Sequence, residues 1–293
     1  MAEGKIVKAV GGFFYVENET GRYQCRARGL FRKKKEKPLV GDEVIFEAET
    51  IEEGYVLEIK ARFNKLTRPP IANVEQALIV CSAVSPDFSP WLLDRMLVHV
   101  EAKDIEPILL FTKRDQCNEE KYEQMKGYQQ LYESLEYPVY FVSHTDEEDL
   151  DQVATAFAGK VTVLAGASGV GKSSFLNRIS PGLDLEVGEI SKQLKRGKHT
   201  TRHVELLSVQ GGQVADTPGF SALDFENIQP EELTLYFPEM RERRSACKFR
   251  ECTHRKEPAC AIKEAVEQAE ISRERYEHYL SFYEEIVKQT SWR

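Results

Sequence analysis

Along residues 5–62 apolar and polar positions alternate, which is the period of a half-buried strand. The segments are Ile6-Val7, Phe13-Phe14-Tyr15-Val16, Gln24–Arg28, Val44-Ile45-Phe46 and Tyr55–Ile59, punctuated by Gly11-Gly12, Gly21, Gly41 and Gly54. Five short strands in so few residues predict a small closed barrel of OB-like type. Arg68-Pro69-Pro70 reads as a linker, because proline resists continuing either strand or helix.

From Val74 the pattern changes to solid apolar runs separated by helical stretches. Ala77–Ala83, Pro107–Thr112, Val139–Ser143 and Val161–Ala165 are predicted buried strands. Leu92–Ala102, Glu119–Leu135 and Glu147–Phe157 are predicted crossover helices, so the middle of the chain is an α/β unit with a mostly parallel sheet. Two more strands, Val204–Val209 and Gln213–Ala215, flank a Gly211-Gly212 turn. Beyond Phe225 the chain reads as charged and helical. Its last segment, Ala261–Lys288, places Ile262, Val266, Ala269, Tyr276, Tyr279, Leu280, Tyr283 and Val287 at helical spacing.

Length and composition narrow this picture. At 293 residues the chain accommodates two or three domains. No run approaches the roughly 18–20 apolar residues of a membrane span, and Met1–Lys5 leads into a strand without a secretory segment. The net charge of -8 gives no global nucleic-acid signal, so such contact must come from local basic patches. Of six cysteines, Cys25, Cys81 and Cys117 are scattered, which suits a reducing cytoplasm better than a disulfide framework.

The clearest chemistry lies at Gly166-Ala167-Ser168-Gly169-Val170-Gly171-Lys172-Ser173, a G-x-x-x-x-G-K-S loop between a predicted strand and the predicted helix Ser173–Ile179. Glycines let backbone N–H groups turn inward around phosphate oxygens, and the helix start adds partial positive charge. Lys172 is placed to reach the β- and γ-phosphates, and the Ser173 hydroxyl to ligate Mg²⁺. Asp216-Thr217-Pro218-Gly219 follows: the carboxylate can hold Mg²⁺ through water, and Gly219 can offer an N–H near the γ-phosphate.

Ahead of the loop, Thr112-Lys113-Arg114-Asp115 reads as a guanine-recognition element, with Ser143 after the next strand. Asp115 can accept from guanine N1 and N2, and Thr112 stands where asparagine is more usual. Base element and serine precede the phosphate loop, whereas in an ordinary small GTPase they follow it. The order is that of a circularly permuted GTPase. Phe220 stands where many small GTPases carry a water-orienting glutamine, so hydrolysis needs another group and is expected to be slow in isolation. His199, just before Thr200-Thr201, is the nearest candidate; a solvent-facing loop histidine is the competing reading. It lies in a basic stretch with Lys192, Lys195, Arg196, Lys198 and Arg202, suited to meeting a polyanion.

Near the C-terminus Cys247, Cys252, His254 and Cys260 offer three thiolates and an imidazole, a donor set for one structural zinc. In the barrel, Arg32, Lys33, Lys34 and Lys35 form a basic run beside Phe31. That is either a solvated loop or, as in many such barrels, an RNA contact.

Motif order, barrel and cysteine cluster together resemble the RsgA family (YjeQ/YloQ), GTPases dependent on the small ribosomal subunit. The most specific pieces are Gly-Lys-His-Thr-Thr at 197–201 and Cys-Lys-Phe-Arg-Glu-Cys-Thr-His at 247–254. The resemblance implies an OB-fold RNA-binding domain at 1–66, a circularly permuted GTPase domain at 67–225 and a zinc-binding helical domain at 226–293. It implies a cytoplasmic monomer that binds GTP and GDP, meets the small subunit and its rRNA, and is stimulated by it during late subunit maturation. By position, Thr112, Lys113, Arg114, Asp115 and Ser143 serve the base, and Gly166–Ser174 the phosphates. Thr201 joins Ser173 on Mg²⁺, His199 is the catalytic histidine beside Lys172, and the Cys3His set binds zinc. Two other readings stand beside it. An ATP-dependent nucleic-acid kinase or ATPase is opposed by Asp115, and a nucleotide-sensing RNA-binding module with negligible turnover is compatible with the missing glutamine.

Overall fold

The computed structural model describes residues 1–29, 31, 36–67, 69–183, 204–216, 224–225 and 228–291. The alternating segment forms β1 (Ala2–Val10), β2 (Phe13–Asn18), β3 (Gly21–Ala27), β4 (Glu43–Ala48) and β5 (Gly54–Ile59). β1 pairs antiparallel with both β2 and β4, β2 with β3 and β4 with β5, while β3 runs parallel to β5, so the ring closes. The period of two turns Ile6, Phe14, Val16, Cys25, Val44, Phe46 and Val56 inward, all buried. A short hairpin, β6 (Lys65–Leu66) and β7 (Ile71–Ala72), carries Pro69-Pro70 between its strands. Ala72 N–H donates to Val40 O at 2.9 Å, so the stretch read as a linker is held against the barrel.

The α/β unit runs β8 (Gln76–Ser82), α1 (Pro90–Glu101), β9 (Glu106–Thr112), α2 (Glu119–Glu133), β10 (Val139–Phe141), α3 (Glu147–Thr155), β11 (Val161–Ala165) and α4 (Lys172–Ile179). Ser89, Asn118 and Asp146 cap α1, α2 and α3 by accepting from backbone N–H groups of the first turn. β12 (Val204–Val209) and β13 (Gly212–Asp216) complete the sheet in the order β10-β9-β8-β11-β13-β12, parallel except for β12. The β12–β13 turn falls one residue earlier than expected, on Gln210 and Gly211, both at positive φ (49° and 75°). At the far edge β12 pairs antiparallel with β1 through Lys8↔Glu205 and Ala9↔Val204. Barrel and parallel sheet thus form one 11-stranded sheet.

The C-terminal part contains α5 (Pro238–Arg241), α6 (Ala261–Glu267) and α7 (Arg273–Ser291). The helical periodicity of 261–288 is interrupted here. Ala269 takes a left-handed φ of 59°, which ends α6, and the chain restarts after Ser272. α7 lies against α1 through a two-pronged Arg95–Glu285 pair, both bonds 2.6 Å, and through Phe282 packed on Trp91 and Phe225. Among the described residues no helix is long and apolar enough to cross a membrane.

Candidate functional site

β8, β9 and β11 are adjacent and parallel, so their C-terminal ends open on one edge of the sheet, the usual place for a ligand in such folds. The phosphate loop leaves β11 with Gly166 at φ 136°, and a β-carbon there would lie 2.3 Å from Val80 O. Gly171, at φ 100°, starts α4. Only glycine suits either position without displacing backbone or a neighbouring ring. Lys172 Nζ donates to Gly166 O at 2.8 Å and Ala167 O at 2.7 Å, curled over its own loop. Burial pulls its ammonium down to about 8, against the opposing influence of Cys81. Ser173, the next residue of α4, is buried and Ser174 half-buried.

The base element is fastened to this loop from the neighbouring strand end. Thr112 closes β9 fully buried, its hydroxyl 2.7 Å from Val170 O and 3.3 Å from Cys81 O. Lys113, at φ 64°, lays its ammonium on Gly169 O at 3.1 Å and on Ser85 O. Asp115 Oδ1 accepts from Ser143 Oγ at 2.9 Å, which fixes the carboxylate beside the end of β10. Ser143 is itself held, its N–H donating to Asp149 Oδ2 at 2.9 Å. Arg114 turns to Asp146 and Asp149, at 2.9 and 2.8 Å, and ties the element to the start of α3. Thr112, Lys113, Asp115, Ser143 and the loop Gly166–Ser174 are therefore gathered at one cleft. Ser85, Asp149 and His144 join them without a sequence signal, since each acts through a loop contact rather than a motif.

Asp216 ends β13 with its backbone paired to Glu205. His199, Thr201 and Gly219, like Arg32, Lys33, Lys34 and Lys35, lie outside the described residues, as does the side chain of Asp216.

The second centre is compact. The donor atoms of Cys247, Cys252, His254 and Cys260 all lie within 4.8 Å of one another. Cys247 Sγ is 3.5 Å and Cys260 Sγ 3.4 Å from His254 Nδ1, and the two sulfurs are 4.0 Å apart. A tetrahedron with metal–sulfur bonds of about 2.3 Å has sulfur–sulfur edges of about 3.8 Å, so the set fits zinc. Tyr276 and Tyr279 of α7 donate to His254 O at 2.6 Å and Thr253 O at 3.0 Å, bracing the loop. Within the loop, burial raises the Glu257 carboxyl, but hydrogen bonds from Thr253 and the backbone outweigh it and hold it at about 2.

Comparison with known proteins identifies the family. The family model for the RsgA GTPase matches residues 59–226, and that for the RsgA N-terminal domain matches residues 3–56. The "Small ribosomal subunit biogenesis GTPase RsgA" of Halalkalibacterium halodurans is 58% identical over 289 residues, covering 99% of this chain and 98% of that protein. Its namesake in Bacillus subtilis is 54% identical over 291 residues, covering 98% of each. Among solved structures, YloQ, a circularly permuted GTPase, superposes with a TM-score of 0.86 at 49% identity, covering 99% of this chain and 96% of that one. YjeQ from Thermotoga maritima gives 0.87 at 35% identity, covering 97% and 98%. A barrel, a permuted P-loop sheet and a Cys3His loop in this order place the chain in the RsgA family of GTPases.

Proposed function

We propose that this GTPase binds GTP with Mg²⁺ in the cleft between Asp115 and the phosphate loop, and uses it on the small ribosomal subunit during late maturation. The observation that carries the guanine reading is the 2.9 Å bond from Ser143 Oγ to Asp115 Oδ1. It leaves the carboxylate oriented and able to accept from guanine N1 and N2, which adenine cannot satisfy. An ATP-directed reading gains nothing from that arrangement.

The remaining roles follow from chemistry. Backbone N–H groups of 166–174 hold the phosphates, and Lys172 exchanges its loop carbonyls for the β- and γ-phosphate oxygens. Ser173 and Thr201 would hold Mg²⁺ directly and Asp216 through water, and the ion would offset charge developing on the phosphates. His199 orients the attacking water where Phe220 cannot. The cation-rich 32–35 run meets rRNA, and Cys247, Cys252, His254 and Cys260 hold one structural zinc that shapes the surface beside it. Labour is divided among an RNA-binding barrel at 1–66, the GTPase at 67–225 and the zinc-bearing helices at 226–293, in a cytoplasmic monomer.

The test is GTP turnover by the full chain alone, with purified small subunits and with large subunits. Slow basal hydrolysis, raised by small subunits only, is expected. Equal stimulation by large subunits would remove the partner assignment, and absence of GTP turnover under all three conditions would remove the enzymatic one.

A further inference from the structure

His144 belongs to none of the motifs, yet it stands where a nucleotide has to pass. Its neighbour Ser143 holds Asp115, the base end of the cleft. Its own ring rests on Gly171, the last glycine of the phosphate end. A β-carbon built on Gly171 would lie 2.8 Å from His144 Nε2 and 3.8 Å from Thr112 Oγ1. A guanine reaching from the phosphate loop to Asp115 therefore crosses this histidine.

Two further observations define what the ring can offer. Nδ1 is enclosed, with no hydrogen-bond partner among the described residues. A buried N–H without an acceptor costs more than a buried lone pair without a donor, so the proton sits on Nε2. Burial keeps the imidazole below its ordinary range; Asp115 opposes this, and Lys113 and Arg178 reinforce it, so the ring is neutral near pH 7. Meanwhile the Thr112 hydroxyl points to Val170 O and Cys81 O, and its short side chain presents no amide to the base.

We propose that His144 is a nucleobase-contacting specificity residue, whose Nε2–H donates to the N7/O6 acceptor edge of the bound guanine. Guanine offers two acceptors on that edge, whereas adenine pairs its N7 with an N6 amino donor. The ring thus reads the same base that Asp115 reads from the opposite edge. Thr112 is left free to anchor the phosphate loop. The inference rests on the nucleotide reading of the cleft.

The test compares GDP with 7-deaza-GDP, which lacks the N7 acceptor, on the full chain. Wild type is expected to bind GDP roughly fivefold more tightly than the analogue, as suits one net hydrogen bond. His144→Ala should bind both equally. His144→Gln, whose amide can donate, should recover part of the preference, and thermal melts of both variants establish that they fold. An undiminished preference in His144→Ala, or none in wild type, would overturn the His144 assignment alone. No saturable GDP binding by wild type would overturn the nucleotide reading and the assignment together.

Discussion

Thr112 does with one hydroxyl what the base element needs from its first residue, which is to bind the strand end to the phosphate loop. It is fully buried and its bond to Val170 O is 2.7 Å, so no water replaces it if the hydroxyl is removed. Thr112→Val keeps the shape and deletes the donor. Leaving a buried carbonyl unpaired costs about 1–3 kcal/mol. The expected result is a lower melting temperature and GDP affinity reduced severalfold, read by thermal melts and fluorescent-GDP titration. Unchanged values in both would show that the loop is held by Lys113 and the glycines instead. The part of the site that could be read in the sequence is the part made of fixed spacings: Gly166 to Ser173, Lys113 and Asp115, and the Cys3His set. What could not be read are Ser85, His144 and Asp149, which reach the cleft only because β8, β9 and β10 end side by side.

At the scale of elements, the Cys3His loop and α7 form one unit, because Tyr276 and Tyr279 hold the carbonyls of His254 and Thr253. Cys252→Ser should therefore release about one zinc per chain and loosen α7 as well, since structural zinc contributes folding energy. Elemental analysis with limited proteolysis checks this; a wild-type protein free of zinc would refute it. GDP binding should largely survive, because the phosphate loop belongs to a different hydrophobic cluster. Arg275 makes the corresponding tie inside the fold. Only 2% exposed, it bonds Asp94 of α1 and, at 2.6 Å, Glu239 of α5. Arg275→Met would remove the Arg275 bonds to Glu239 and leave Asp94 held by Tyr132 and His278 alone, and breaking such a buried pair costs about 3–5 kcal/mol. Denaturant unfolding should show a loss of that order, and a loss below that of an ordinary surface substitution would mean the carboxylates find other partners. Strands and crossover helices were legible because apolar period follows burial. The break between α6 and α7 was not, because Ala269 keeps the helical spacing while its φ of 59° ends the helix.

At the scale of the molecule, the join between barrel and GTPase sheet is a main-chain ladder, invisible to any side-chain pattern. β1 pairs with β12 at Lys8↔Glu205, and Glu205 then gathers Lys8 Nζ at 2.6 Å and Arg22 Nη2 at 2.9 Å from two barrel strands. β12 begins at Val204, directly after the sequence segment that carries His199 and Thr201. The barrel is thereby fastened to the strand that follows that segment. Burial raises the Glu205 carboxyl, but hydrogen bonds from Lys8 and Arg22 outweigh this and leave it below the ordinary carboxylate range. A lowered folded-state value stabilises the protein above the unfolded pKa, about 4.3 for glutamate, and that contribution is lost as pH falls through the folded value. Glu205→Gln should therefore cost about 1 kcal/mol at pH 7, the upper end for a part-exposed ion pair. The deficit should shrink in acid, where the wild-type carboxylate is protonated too. Denaturant melts of both proteins at pH 7 and in steps downward from about pH 4.3, the unfolded value, measure that decline. A deficit that stays constant across that range would show that packing of the β1–β12 seam, not its charges, joins the two parts.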